Sequence, residues 1–287
     1  MRHMIVFSLC LGGVVALSAC EGQMTDEEVE RAVAGVNAID ATGLNDIMLQ
    51  AGDPNEAVAY FSRAVQESPD RIDLKRGLAQ ALVRAKKPAE AARVWAEVAQ
   101  SEEATADDQV NHADALIRAG DWAKAEDVLK QVPPTVETYD RYRLEAMVAD
   151  AGEDWKKADS FYETAVGLTT SPARILNNWG YSKLTRGDFP GAEKLFLEAL
   201  TYDEKMFTAK NNLMMARGAQ RNYDLPVLAV SQVERAQLLH TLALAAIKQG
   251  DLTMGKTLLE EAIDTHPQHF DPAVRALRAL ESNVQRG

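Results

Sequence analysis

The sequence predicts an all-α fold: a superhelical solenoid of antiparallel helix pairs, preceded by an export signal and closed by a C-terminal capping helix. Three observations carry this. One residue pattern recurs at a nearly constant interval, each copy places apolar residues at helical spacing on either side of a turn, and the composition is helical, with 46% hydrophobic but only 6% aromatic residues. With Ala57, Ala91, Ala125, Ala158 and Ala192 as a ruler, the steps are 34, 34, 33 and 34 residues. Four residues after each stands Phe61, Trp95, Leu129, Tyr162 or Phe196, and seven after each stands Ala64, Val98, Val132, Ala165 or Ala199. Small residues let two helices approach, and the large ones fill the space between them.

The best-formed copy is Ala173 to Met206. Leu176, Trp179, Gly180 and Leu184 lie on one face of its first helix, and Ala192, Leu195, Phe196, Ala199 and Leu200 on one face of its second, around a turn at Gly187-Asp188. Such a hairpin cannot bury both faces alone and needs copies beside it. The period and pattern resemble the tetratricopeptide repeat (TPR), a helix–turn–helix unit. The TPR array is expected over 38–269, in units of about 38–71, 72–105, 106–137, 138–172, 173–206, a degenerate 207–235, and 236–269.

The chain starts with MRHMIVFSLCLGGVVALSAC: one Arg, an apolar run from Met4 to Leu17, then small residues. This describes a secretory signal, and the run falls short of the roughly 20 apolar residues of a transmembrane helix. Leu17-Ser18-Ala19-Cys20 resembles a bacterial lipobox. That resemblance implies cleavage after residue 19, lipidation of Cys20, and, with Glu21 next, an outer-membrane anchor facing the periplasm; an ordinary signal peptide or an uncleaved anchor are the alternatives. Residues 20–37 read as a lipidated tether and lead-in helix, with a capping-box pattern at Thr25-Asp26-Glu27-Glu28. Cys10 is the only other cysteine and lies in the signal, so no disulfide or thiol chemistry is expected of the processed chain.

The units vary. Asn45 stands where the first wants a small residue, Pro133-Pro134 stops the second helix of the third early, and Gly152-Glu153-Asp154 reads as a turn one residue longer than its counterparts. After a good first helix around Leu213, Pro226 falls where the ruler demands mid-helix Ala. A helix-interior Pro costs about 3 kcal/mol, so Asn222 to Val230 is expected to be a non-helical crossing. It reads either as repeat decay filled by local packing or as an apolar arm that shapes or occupies the groove. Ser231-Gln232-Val233-Glu234 is a capping box that restarts the helix, and Asp271-Pro272 opens the capping helix within 270–287.

Nothing in the sequence points to chemistry. HExxH, a Gly-rich phosphate loop and GxSxG are all missing. His266-Pro267-Gln268-His269 reads as polar closure of a loop in preference to a metal pair, and His112 and His240 as satisfied or solvated. No enzyme activity, cofactor, metal or small-molecule substrate is expected. The net charge of −12 disfavours nucleic acid and anionic lipid headgroups as partners.

Function then lies in the surface lined by the first helices. The TPR resemblance implies that ligand-facing positions fall on Tyr139, Tyr142, Arg143, Arg174, Asn177, Asn178 and Tyr181, then on Thr208, Asn211, Asn212, Met215, Gln237, His240 and Thr241. Asn178 and Asn212 stand one repeat apart, and an amide can donate to and accept from a peptide backbone at once; the alternative is that each bonds a neighbouring helix or water. The runs NNWGYSKLTRGDF (177–189), AKNNLMMARGAQRNYDLP (209–226) and ERAQLLHTLALAAIKQGD (234–251) resemble the TPR lipoproteins of the tight adherence (Tad/Flp) pilus assembly system, the TadD family. That resemblance implies a non-enzymatic outer-membrane lipoprotein that binds a protein segment and assists assembly or localisation of the pilus secretin. A general periplasmic TPR scaffold for outer-membrane biogenesis or cell-wall enzymes is the alternative.

Overall fold

A computed structural model describes residues 43–284. The signal, Cys20 and the tether therefore lie outside the described residues, as does the start of the first repeat. The chain divides after Asp53 into two compact units. In the first, residues 43–50 form a helix, α1.

The second unit is a succession of helices: α2 (Pro54–Glu67), α3 (Ile72–Arg84), α4 (Pro88–Ala99), α5 (Ala106–Arg118), α6 (Trp122–Leu129), α7 (Tyr139–Ala151) and α8 (Trp155–Gly167). Then come α9 (Ala173–Thr185), α10 (Phe189–Tyr202), α11 (Phe207–Ala219), α12 (Gln232–Lys248), α13 (Leu252–Thr265) and α14 (Asp271–Val284). From α4 on, each second helix packs against the first helix of its own pair and against the helix that follows it, as α10 does between α9 and α11. This is a solenoid, and no strand occurs among the described residues.

The turns show how the sequence stops one helix and starts the next. Asp121, Asp154, Asp188 and Asp251 each accept a hydrogen bond from the backbone N–H three residues on, capping α6, α8, α10 and α13. The residue before each Asp is left-handed: Gly120, Gly187 and Gly250 have φ near +82° to +86°, and Glu153 has φ 59°. The turn at Gly152-Glu153-Asp154 is therefore no longer than that at Arg186-Gly187-Asp188. In both, one residue ends the helix, one turns left-handed and an Asp caps. The missing residue in the 33-residue step falls instead between Ala125 and the start of α7, where α6 is only 8 residues long and ends before Pro133-Pro134.

The ruler residues are the core. Ala57, Ala91, Ala125, Ala158 and Ala192 are fully buried, and Phe61, Trp95, Leu129, Tyr162 and Phe196 nearly so. Glycines set the closest approaches. A Cβ at Gly180 would lie 2.7 Å from the Phe196 ring, and one at Gly218 would lie 2.4 Å from Ala245 Cβ, where α11 meets α12. Ion pairs join neighbouring repeats, notably Arg76 to both oxygens of buried Asp108 at 2.8 and 2.7 Å. Burial pushes that carboxyl up, but Arg76 and the cap at Thr105 outweigh it and hold it below its ordinary value.

The break at Pro226 is a crossing without regular structure, between Asn222 and Val230. Tyr223, Leu225, Leu228 and Val230 pack on the core where a second helix would have lain, while Val227 is fully exposed. Lys210, only 2% exposed, reaches from α11 to donate from Nζ to the Ala229 carbonyl at 2.6 Å, with Glu234 3.8 Å away. The capping box then restarts the chain: Glu234 N–H donates to Ser231 Oγ at 3.2 Å, and Ser231 N–H to Glu234 Oε2 at 2.8 Å. Of the two readings of this segment, local packing is the one its contacts match.

Two imidazoles tie stability to pH. His112 and His240 are half-buried, and burial lowers both below the ordinary 6.5. The unfolded chain accepts protons there that the folded chain resists, so the stability present above 6.5 is lost as pH falls through that value. The contribution of these groups to the unfolding free energy is expected to hold from pH 8 to 7 and to decline between 6.5 and 5, by at most about 1.4 kcal/mol per pH unit for each group, and the thermal midpoint to fall with it. A midpoint that rises over that interval contradicts the assignment.

Candidate functional site: a cleft across three first helices

Along α7, α9 and α11 the first helices of three consecutive pairs present one side to a cleft of about 530 Å³. Its lining carries amides and hydroxyls: Asn177, Asn178 and Ser182 from α9, with Thr208 and Asn212 from α11. Its rim is aromatic, with Tyr181 from α9 and the indoles of Trp122 and Trp155. Tyr181 is 50% exposed and Trp122 39%, so both rings offer contact area to an occupant.

The sole ionisable acid or base on the cleft wall, tyrosines aside, is Asp150, at the end of α7. Its Oδ2 accepts from the Tyr162 hydroxyl at 2.8 Å and its Oδ1 from the Ser182 hydroxyl at 2.6 Å. Burial pushes the Asp150 carboxyl above its ordinary value, against the pull of those two hydrogen bonds, and pushes the Tyr162 phenol well up too. Beside this pair, Tyr162 stacks on Trp179 with ring centroids 6.2 Å apart, and Trp179 Nε1 donates to Asp159 at 2.5 Å. Arg186 holds both oxygens of Asp159 at 2.6 and 2.8 Å.

The cleft brings together Asn177, Asn178, Tyr181, Thr208 and Asn212 of the positions marked in the sequence. Asn177 and Asn212 are buried, and Asn212 Nδ2 donates to Asn177 Oδ1 at 3.1 Å. Asn212 thus bonds the neighbouring helix, and Asn178, half-buried, is the amide with no such partner. Tyr139, Arg174 and Met215 are exposed on α7, α9 and α11 without lining the cleft. Others are engaged inside the array. Tyr142 sits against the Phe161 ring at 5.9 Å. Arg143 pairs with Asp114 at 3.2 Å and Asp140 at 3.3 Å, and Asn211 accepts from the Thr241 hydroxyl at 2.7 Å. His240 lies edge-on to Phe270 at 5.6 Å. None of residues 222–230 lines the cleft.

Trp122, Trp155 and Asp150 are the wall residues the sequence reading passed over. A signal existed: the residue after the capping Asp is Trp in two successive units, at 122 and 155, where Phe189 and Leu252 stand in later ones. Among the described residues, no group of three or more His, Cys, Asp or Glu side chains could hold a metal ion, and no helix is long and apolar enough to cross a membrane.

Comparison with known proteins agrees on the architecture. The tetratricopeptide repeat family model matches residues 48–109. No curated protein matches the chain by sequence. Among solved structures, the Cut9-Hcn1 hetero-tetramer of the APC/C aligns at TM-score 0.60 with 16% identity, over 88% of this chain and 52% of the other, so this chain spans about half that protein's length. A tetratricopeptide repeat protein from Parabacteroides merdae aligns at TM-score 0.55 with 11% identity, over 83% of this chain and 96% of that one. The human IFIT1 dimer with PPP-AAAA gives TM-score 0.54 and 14% identity, over 81% and 60%. Identities this low speak for the fold alone. The described residues form an all-helical solenoid with the tetratricopeptide repeat fold.

Proposed function

We propose that the protein is a non-enzymatic adaptor that holds a segment of a partner protein in the cleft across α7, α9 and α11. The observation that carries this is the pairing of exposed aromatic rings with an amide free to bond a peptide backbone, in one cleft: Tyr181 and Asn178 on α9, with Trp122 at the start of α6. Rings of this kind supply large contact area at low entropic cost. In the full reading the chain is anchored at Cys20 to the outer membrane and faces the periplasm. There it assists assembly or localisation of a Tad/Flp pilus secretin; support for this part comes from the lipobox-like leader and the three sequence runs between 177 and 251.

The test is a crosslinked pull-down from the native envelope, comparing the wild-type chain with an Asn178→Ala, Tyr181→Ala variant. Both side chains can be removed without touching the Asn177–Asn212 bond. The expected result is a secretin or another pilus component that the variant fails to recover. Cell-wall enzymes or barrel-assembly components lost by the same variant would retire the pilus assignment and leave a general periplasmic scaffold. Equal recovery by both chains would overturn the cleft as the binding surface.

A further inference from the structure

The cleft's chemistry narrows what its occupant carries. Its wall combines a carboxylate, Asp150, with the rings of Trp122, Trp155 and Tyr181, and no Lys or Arg lines it. An ionised carboxylate offers about four acceptor positions, and the Tyr162 and Ser182 hydroxyls occupy one on each oxygen. The nearby cations make their hydrogen bonds and ion pairs to other carboxylates, although the Arg186 charge also reaches Asp150. Arg186 grips both oxygens of Asp159, and Lys183 lies 3.0 Å from Asp188 and 3.7 Å from Asp159. Arg143 sits between Asp114 and Asp140. Arg186 also lies over the Trp155 ring, 5.7 Å from its centroid, showing that this indole accepts a cation on one face.

We propose that the cleft receives a lysine or arginine side chain of the bound segment, with its charge on Asp150 and its methylenes against Trp122, Trp155 and Tyr181. This rests on the reading of the cleft as a peptide site and adds the class of side chain it selects. A long cationic side chain suits both parts of the wall, since its stem is apolar and its head is charged. The carboxylate has little to offer an apolar or acidic occupant: the first leaves it buried and unpaired, and the second repels it. The charge of the chain as a whole, −12, favours the same encounter.

Binding of the full chain to four pools of fluorescent decapeptides tests this. The central residue is Lys, Arg, norleucine or Glu, and the flanking positions are randomised. The Lys and Arg pools are expected to bind about tenfold more tightly than norleucine, as a partly desolvated cation on rings and a carboxylate implies. In Asp150→Asn the preference should fall below about threefold, while the melting temperature stays the same or rises. The amide oxygen still accepts from Tyr162 and the amide nitrogen donates to Ser182, and the cost of burying a charge is gone. Equal binding of all four pools, or preference for norleucine or Glu, overturns the cation assignment and leaves the cleft as a peptide site. So does a preference that Asp150→Asn retains. Failure of every pool to bind overturns the peptide reading as well.

Discussion

Phe196→Ala is expected to lower the unfolding free energy by about 3–5 kcal/mol, the cost of emptying a ring-sized space in a core that cannot collapse to fill it. The site has little freedom to relax. Phe196 is fully buried between Ala192, Ala199 and the backbone of Gly180, whose missing Cβ would stand 2.7 Å from the ring. The same contact forecasts the reverse substitution. Gly180→Ala gains about 1 kcal/mol of helix propensity but overpacks by about 1–3 kcal/mol, so it should destabilise on balance. Phe196→Leu in the Gly180→Ala background should restore part of the loss, because the branched chain withdraws the ring edge from the new methyl. Denaturant unfolding of the two single variants and the double variant checks this. Additive losses in the double variant would mean that the two sites do not share a contact.

Lys210→Met is expected to cost about 1–3 kcal/mol, since it keeps the buried stem and removes the donor that serves the Ala229 carbonyl. The loss should be local as well as global. Lys210 is the side-chain hydrogen-bonded tie between α11 and the far end of the crossing, so hydrogen exchange near residue 229 should quicken before the rest of the array responds. The capping box at Ser231 and Glu234 is independent of the ammonium in its two hydrogen bonds, and α12 should keep its protection. Unchanged exchange across the crossing would show that Tyr223, Leu225, Leu228 and Val230 hold it without help.

These two residues mark the boundary of what the sequence discloses. Phe196 is readable because its role is periodic: it recurs as Phe61, Trp95, Leu129 and Tyr162 at fixed distance from a buried Ala, and helical spacing converts that into a shared face. The turns, their Asp caps and the break at Pro226 are readable for the same local reasons. Lys210 is not. A lysine in mid-helix reads as a solvated charge, and only the crossing, brought back over α11 from residue 229, makes it a buried donor. The amides follow the same rule. Asn177, Asn178 and Asn212 could be placed on one face from their spacing, but which of them would spend its hydrogen bond on the other depended on the distance between α9 and α11. Glu153 misled in another way, since a left-handed turn without glycine looks from sequence like an inserted residue.

The wall of the cleft was half legible. Asn178 and Tyr181 follow from repeat position, whereas Trp122 and Trp155 belong to the starts of second helices and enter the cleft only because those starts lie beside the ends of the first helices. Asp150 is one acid among many in a chain with 43 Asp and Glu residues, and nothing local separates it from the solvated ones. Its hydroxyl partners come from α8 and α9, which no single-helix pattern reports.

The most direct test of the account is position-resolved photocrosslinking in the native cell, with a benzophenone amino acid placed at Tyr181 in one chain and at Leu197 in another. Both positions are exposed, but Leu197 lies on α10 outside the cleft. The account predicts a discrete crosslinked partner from position 181, mapped to a segment with a Lys or Arg beside the crosslink, and none from position 197. The same partner captured with equal yield from both positions, or from 197 alone, would contradict it.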